Sequence, residues 1–327
     1  MAVVYIHSVG GKIVAIHALW GPMSHSLLLC CALIMTLCRV AVSGFLMISG
    51  ALLLSNRKNL DFRYVFRHRI LRFFYILFFW SAIVYIIKEL LNGNSLSLRS
   101  FAEKFAEIEI SPPYWYLYAL IILLFLLPAV TQIAQTKSSY LWSIVVIGVF
   151  VTYLPFVLRT LFPEHLYKMF ILEIPYVIIP FILGYLLINT QIAKKLRICI
   201  YVAGIACAAA AFLLSIPMFD GDQYFGAWWS EKSPFVVGEA TAFFIFLQYS
   251  GTAERISQSR IITAASRLSL GVYLSHEVII FLFCKIHPIT ADNISVSLTV
   301  FFYLTCVAAA FLVSLILSKI PYLNRLL

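Results

Sequence analysis

The chain has 327 residues, of which 62% are hydrophobic and only 12% charged. Soluble domains run near ~45–50% apolar and ~25% charged, so too little polar surface remains here to coat a water-soluble globule. The net charge of +10 lies mostly in short connections between apolar runs, which argues against a nucleic-acid surface and matches the loop bias of membrane proteins.

The apolar runs have about the length that crosses a ~30 Å hydrocarbon core at ~1.5 Å per residue. They predict an all-α, polytopic transmembrane bundle of about ten spans in one domain, 1–327. The first, 1–9, is short and is followed by Gly10, Gly11 and Lys12, so it reads as the tail of a truncated spanning helix. The others are expected at 27–54, 70–91, 114–134, 140–158, 170–190, 197–217, 234–250, 267–287 and 295–318.

The connections alternate in charge. One set (55–69, 135–139, 191–197, 251–267 and the tail from Lys319) is rich in Lys and Arg, with Asp61 and Glu254 its only acids. The opposite set holds most acids, among them Glu89, Glu103, Glu107, Glu109, Glu164, Asp220, Asp222, Glu231 and Asp292. The positive-inside rule places the first set, and both termini, in the cytoplasm. In the opposite set, Ser97 to Glu109 has the mixed charge of a short surface helix. Residues 218–233 combine Asp220, Asp222, Tyr224, Trp228 and Trp229, which suits either an interfacial aromatic belt or a platform for a sugar ring.

Several ionisable residues fall where a membrane makes them expensive, and each is a candidate for function. His7 stands near the outer end of the first span, and an imidazole removes a hydroxyl proton near neutral pH. Arg39 lies about twelve residues, roughly 18 Å, into its span, too deep to snorkel easily. Its partner is expected among Glu173, Glu239 and Glu277, or it faces a substrate cavity. Arg69 and Arg72 share a helical face at the basic boundary, with Arg67 and His68 one turn before them. Such a mouth suits a polyanion, since guanidinium forks bind phosphate bidentately. His276 and Glu277 sit near mid-membrane. The seven cysteines lie inside apolar runs without metal-ligand spacing, so no metal site and no disulfide framework is expected.

Five segments together resemble the acyltransferase 3 family of bacterial integral membrane acyltransferases. They are Ala2 to His7, Arg39 to Gly50 (Arg-Val-Ala-Val-Ser-Gly-Phe-Leu-Met-Ile-Ser-Gly), Arg69-Ile-Leu-Arg72 with Trp80, Pro113 to Leu120 with its Trp115-Tyr116-Leu117, and Ser269 to His276. The resemblance covers nearly the whole chain and is most similar to O-acetyltransferases of enterobacterial common antigen and other surface glycans. It implies a bacterial inner-membrane enzyme moving acetyl from cytosolic acetyl-CoA to a hydroxyl of an envelope glycan or lipid-linked sugar. By resemblance His7 is the general base, Arg39 a catalytic partner, and Arg69 and Arg72, with Arg67, the donor-binding group. His276, Tyr116 and Trp115 are supporting or substrate-binding residues. No permanently bound cofactor is implied. Ser43 replaces a family proline, which removes a kink and favours a straighter second span. A polytopic transporter or exporter of an envelope precursor or small anion is the competing class, since buried Arg, His and Glu serve it equally well.

Overall fold

Each apolar run is helical in the computed structural model, which describes residues 1–14, 24–161, 176–216 and 228–321. Among the described residues there is no strand. Among the described residues seven helices are long and apolar enough to cross a membrane: α2 (His25–Leu54), α3 (Phe62–Leu91), α5 (Pro112–Thr136), α6 (Ser139–Leu158), α8 (Lys194–Ser215), α11 (Arg260–Ile286) and α12 (Val296–Lys319). Three shorter apolar helices, α1 (Ala2–Val14), α7 (Ile178–Ile188) and α9 (Pro234–Tyr249), fall at the remaining expected positions. The surface helix expected after Ser97 is present as α4 (Leu98–Ala106), and a short α10 (Thr252–Ser257) precedes α11. Ser97 starts α4 by accepting a hydrogen bond from the Ser100 amide. Lys104 of α4 pairs with Glu89, and this carboxylate holds its ammonium above the usual lysine range.

Two large buried clusters build most of the bundle, beside a small third one of Leu187, Ile192 and Ile245. One joins α1, the first half of α2, α3, α11 and α12, around Ile13, Trp80, Val84, Ile280 and Phe302. The other joins the second half of α2 with α5, α6 and α7, around Met47, Leu54, Leu127, Leu141 and Phe181. Phe73 and Tyr116 pack against both, so they mark the seam. The outward faces stay apolar, with Leu52, Val202 and Ile205 all well exposed, as lipid contact requires.

The second cluster depends on a close helix crossing. A Cβ on Gly50 would overlap the Phe181 carbonyl, and one on Gly184 would overlap the Met47 carbonyl. Small residues let membrane helices approach to backbone contact. The Ser49-Gly50 pair therefore lies within α2 at a crossing with α7, where side chains would hold the helices apart.

Three expectations are corrected. The first helix does not stop at residue 9: it continues to Val14 as a π-helical segment, Ile6–Val14, with Gly10 packed against Met35. His7 is therefore mid-helix, flanked by buried Ile6 and Ser8. Around Ser43 the second span is an unbroken α-helix, Val40–Leu54, preceded by one irregular residue, Arg39, whose amide is shared between the Met35 and Thr36 carbonyls. Trp228 and Trp229 are neither an interfacial belt nor an open sugar platform. They are 1% and 3% exposed, and Trp229 Nε1 donates to Thr36 Oγ1 at 3.0 Å. The other members of that loop, Asp220, Asp222 and Tyr224, lie outside the described residues. Lastly, among the described residues Arg39 pairs with neither Glu239 nor Glu277. Its partner is Glu231, at 3.2 Å. Glu277 instead meets Lys88 at 3.5 Å, and Glu173 lies outside the described residues.

Candidate active site

At the seam between the two clusters lies a cavity of about 270 Å3. Helix α1 contributes His7, α2 contributes Val42, Phe45 and Ser49, and α3 contributes Phe73. Trp115 and Tyr116 of α5 face it, as do Ser269 and Tyr273 of α11, Phe311 of α12, and Glu231 from the turn before α9. The wall is mostly aliphatic and aromatic, with a few convergent polar groups, the usual make-up of a small-molecule site. Among the described lining residues Glu231 is the only carboxylate side chain.

His7 is held by its helix and by the residues beside it. The Tyr5 hydroxyl donates to the Cys31 carbonyl at 3.2 Å, and its ring meets Tyr303 edge-on at 5.4 Å. These contacts fix α1 against α2 and α12. The Ser8 hydroxyl returns to the Val4 carbonyl at 2.6 Å, within the stretch that widens into a π-helix. π-Helical turns recur at functional sites because they re-aim side chains without ending a helix.

The second histidine stands against the first. The rings of His7 and His276 have centroids 5.3 Å apart. His276 is fully buried, and its Nδ1 contacts the Tyr273 carbonyl. A carbonyl only accepts, so Nδ1 carries the hydrogen and the neutral ring keeps its lone pair on Nε2. That Nε2 has no hydrogen-bond partner among the described residues. Tyr273 is itself pinned, its hydroxyl donating to the Pro113 carbonyl.

The Pro113-Tyr-Trp-Tyr segment divides its labour. Tyr114 is buried and donates to the Leu274 carbonyl at 2.6 Å, locking α5 to α11. Trp115 faces the cavity and lies 5.9 Å from the Tyr176 ring, and Tyr116 faces it 6.0 Å from Tyr273. Arg39 stands behind Glu231, with one guanidinium terminus committed to that carboxylate and its Nε without an acceptor among the described residues.

His7, His276, Trp115, Tyr116 and Arg39 are therefore brought together. Arg67, Arg69 and Arg72 are not at the cavity wall. Arg67 and Arg72 are exposed and Arg69 is half-buried, its Nε donating to Asn59 Oδ1 at 2.8 Å. They approach the cavity through Phe73, the residue after Arg72, which does line it. Arg67, His68 and Arg69 lie on a second π-helical turn, Phe66–Ile70.

Sequence reasoning missed Glu231, Tyr273 and Asn59 as site residues. Glu231 had a usable signal: an acid three residues before the helix-starting Pro234, next to two tryptophans able to anchor the turn. Tyr273 lies one turn before His276, within reach of its ring. Asn59 had none. Among the described residues, no three His, Cys, Asp or Glu side chains gather as a metal site.

Comparison with known families matches residues 1–319 to a model described as an acyltransferase domain. No match was found among curated proteins or among solved structures.

Proposed function

The chain belongs to the acyltransferase 3 family, and from this premise we propose that it is a membrane O-acetyltransferase. It takes acetyl from cytosolic acetyl-CoA and places it on a hydroxyl of an envelope glycan or lipid-linked sugar. The observation that carries this reading is the cavity itself, which has His7 on its wall and extends to Phe73 beside the basic mouth. The protein is a multi-pass protein of the bacterial inner membrane, with the basic loops in the cytoplasm.

The physical task is to bring a water-soluble thioester and an envelope alcohol together inside a barrier. Arg69 and Arg72, helped by Arg67, hold the CoA phosphates at the cytoplasmic edge, because guanidinium groups keep their charge and fork onto phosphate oxygens. The pantetheine arm enters past Phe73. The acceptor hydroxyl comes from the opposite end, near Trp115 and Glu231.

His7 takes the hydroxyl proton as the oxygen attacks the acetyl carbonyl carbon. The tetrahedral oxyanion collapses, the carbon–sulfur bond breaks, and the CoA thiolate leaves with the proton that His7 returns. Nε2 of His276 is an acceptor placed beside His7 to orient the base, as a third group does in other nucleophile–base systems. The Nε–H of Arg39, without an acceptor among the described residues, is the donor assigned to the developing charge, and one such donor is worth ~2.7–4 kcal/mol.

The test is CoA release from acetyl-CoA by purified protein in vesicles containing envelope lipid extract. Acceptor-dependent release that disappears in His7→Ala supports the reading. Acetyl-CoA-independent movement of a solute across the vesicle wall, with no release, assigns the protein to transport instead.

A further inference from the structure

Asn59 occupies a turn that no motif singled out, yet its side chain is fully buried at the basic end of the bundle. It sits in the 3-10 turn Arg57–Leu60 that links α2 to α3. Its Nδ2 donates at 2.6 Å to the Leu53 carbonyl in the last turn of α2, which also accepts from the Asn56 amide. Its Oδ1 accepts from Arg69 Nε at 2.8 Å. Only a planar amide offers a donor and an acceptor side by side in this way.

The geometry points to Asn59 as the positioning residue that aims Arg69 at the acyl donor, an inference that rests on the donor-binding role of Arg69 proposed above. With Nε committed to Asn59, the guanidinium plane is fixed. The Tyr64 ring, 6.0 Å from the guanidinium carbon, bounds it on one side. The edge formed by Nη1 and Nη2 makes no hydrogen bond to the described residues, and that edge is the fork that pairs bidentately with phosphate. Arg72 is exposed by comparison, so the two arginines are not equivalent. An arginine held in its binding geometry before the ligand arrives loses less side-chain freedom on binding. Asn59 is neutral, so it orients Arg69 without cancelling its charge.

Coenzyme A itself is the probe, titrated calorimetrically into the detergent-purified full chain. The set is wild type, Asn59→Ala, Arg69→Lys and the double variant. Arg69→Lys keeps the charge but loses the planar Nε–H that Asn59 grips. It keeps the question answerable if Asn59→Ala folds poorly. Each single variant is expected to weaken CoA binding about tenfold, the size of a lost hydrogen bond to a charged group. The double variant is expected to be no more than about twofold worse than either, because both remove the same interaction. In Asn59→Ala the KM for acetyl-CoA is expected to rise by a larger factor than kcat falls, while the KM for the acceptor stays unchanged, a split that a general folding defect does not produce.

Wild-type affinity in Asn59→Ala or in Arg69→Lys overturns the inference. So do losses that multiply in the double variant, or an equal fall in turnover and in affinity for the acceptor. A wild-type protein that binds no CoA removes the donor reading, and the inference falls with it. Normal CoA binding in both wild type and Asn59→Ala removes the inference alone.

Discussion

Replacing Glu231 with glutamine leaves the Arg39 guanidinium charged, largely buried and without its counter-ion. The pair is 3.2 Å apart, with side chains 17% and 19% exposed. At an effective dielectric of ~20 that separation corresponds to about 5 kcal/mol of attraction, offset by the cost of desolvating both ions. Breaking a buried pair by removing one partner costs ~3–5 kcal/mol, and partial exposure places this one near ~3 kcal/mol. Glu231→Gln is therefore expected to lower the midpoint of thermal unfolding in detergent and to reduce acetyl transfer. Replacing both members, as Arg39→Met with Glu231→Leu, removes the stranded charge and is expected to recover most of the lost stability. Transfer is not expected to return, because the Arg39 donor is gone. A double variant that is both stable and fully active would refute the reasoning, and Arg39 would then be structural only. An unchanged melting midpoint in Glu231→Gln would refute the ion pair itself.

Three further outcomes follow from the same geometry. His276→Gln keeps a polar atom near the position of Nε2, whereas His276→Asn keeps only the donor toward Tyr273. Transfer rates should therefore survive better in the first than in the second, and the reverse order removes the orienting role of Nε2. Gly50→Ala and Gly184→Ala force α2 and α7 apart, and each should lower stability by ~1–3 kcal/mol in a detergent melt. An unchanged melt in either means that the crossing is looser than the overlaps at Phe181 and Met47 imply. Trp229→Phe removes the hydrogen bond to Thr36 and should cost about 1 kcal/mol. Because that bond anchors the turn carrying Glu231, transfer should fall as well, and unaltered transfer separates the turn from the site.

The helices were legible because their signal is local: length, apolarity and charge alternation fix where a chain can cross a bilayer. Gly10 and Gly11 misled because they read as a stop. Their setting is a π-helical stretch, where the missing Cβ of Gly10 makes room for Met35. Arg39 was recognised as expensive, but its partner was not. That partner lies 192 residues away in a turn, held by burial of Trp228 and Trp229, a tertiary event that no local pattern encodes. His7, Trp115 and Tyr116 were found through a family resemblance, and the structure adds that they share one cavity. Tyr273 and Asn59 escaped because they act through a backbone carbonyl and a side-chain amide, neither of which leaves a compositional trace.

The central claim is histidine-dependent acetyl transfer to an envelope hydroxyl. Its most direct test is the O-acetyl ester content of surface glycans in cells lacking the gene, complemented with wild type or with His7→Ala. The account predicts that the ester is lost in the deletion and restored by wild type alone. Full restoration by His7→Ala, or equal ester content in all the strains, would contradict it.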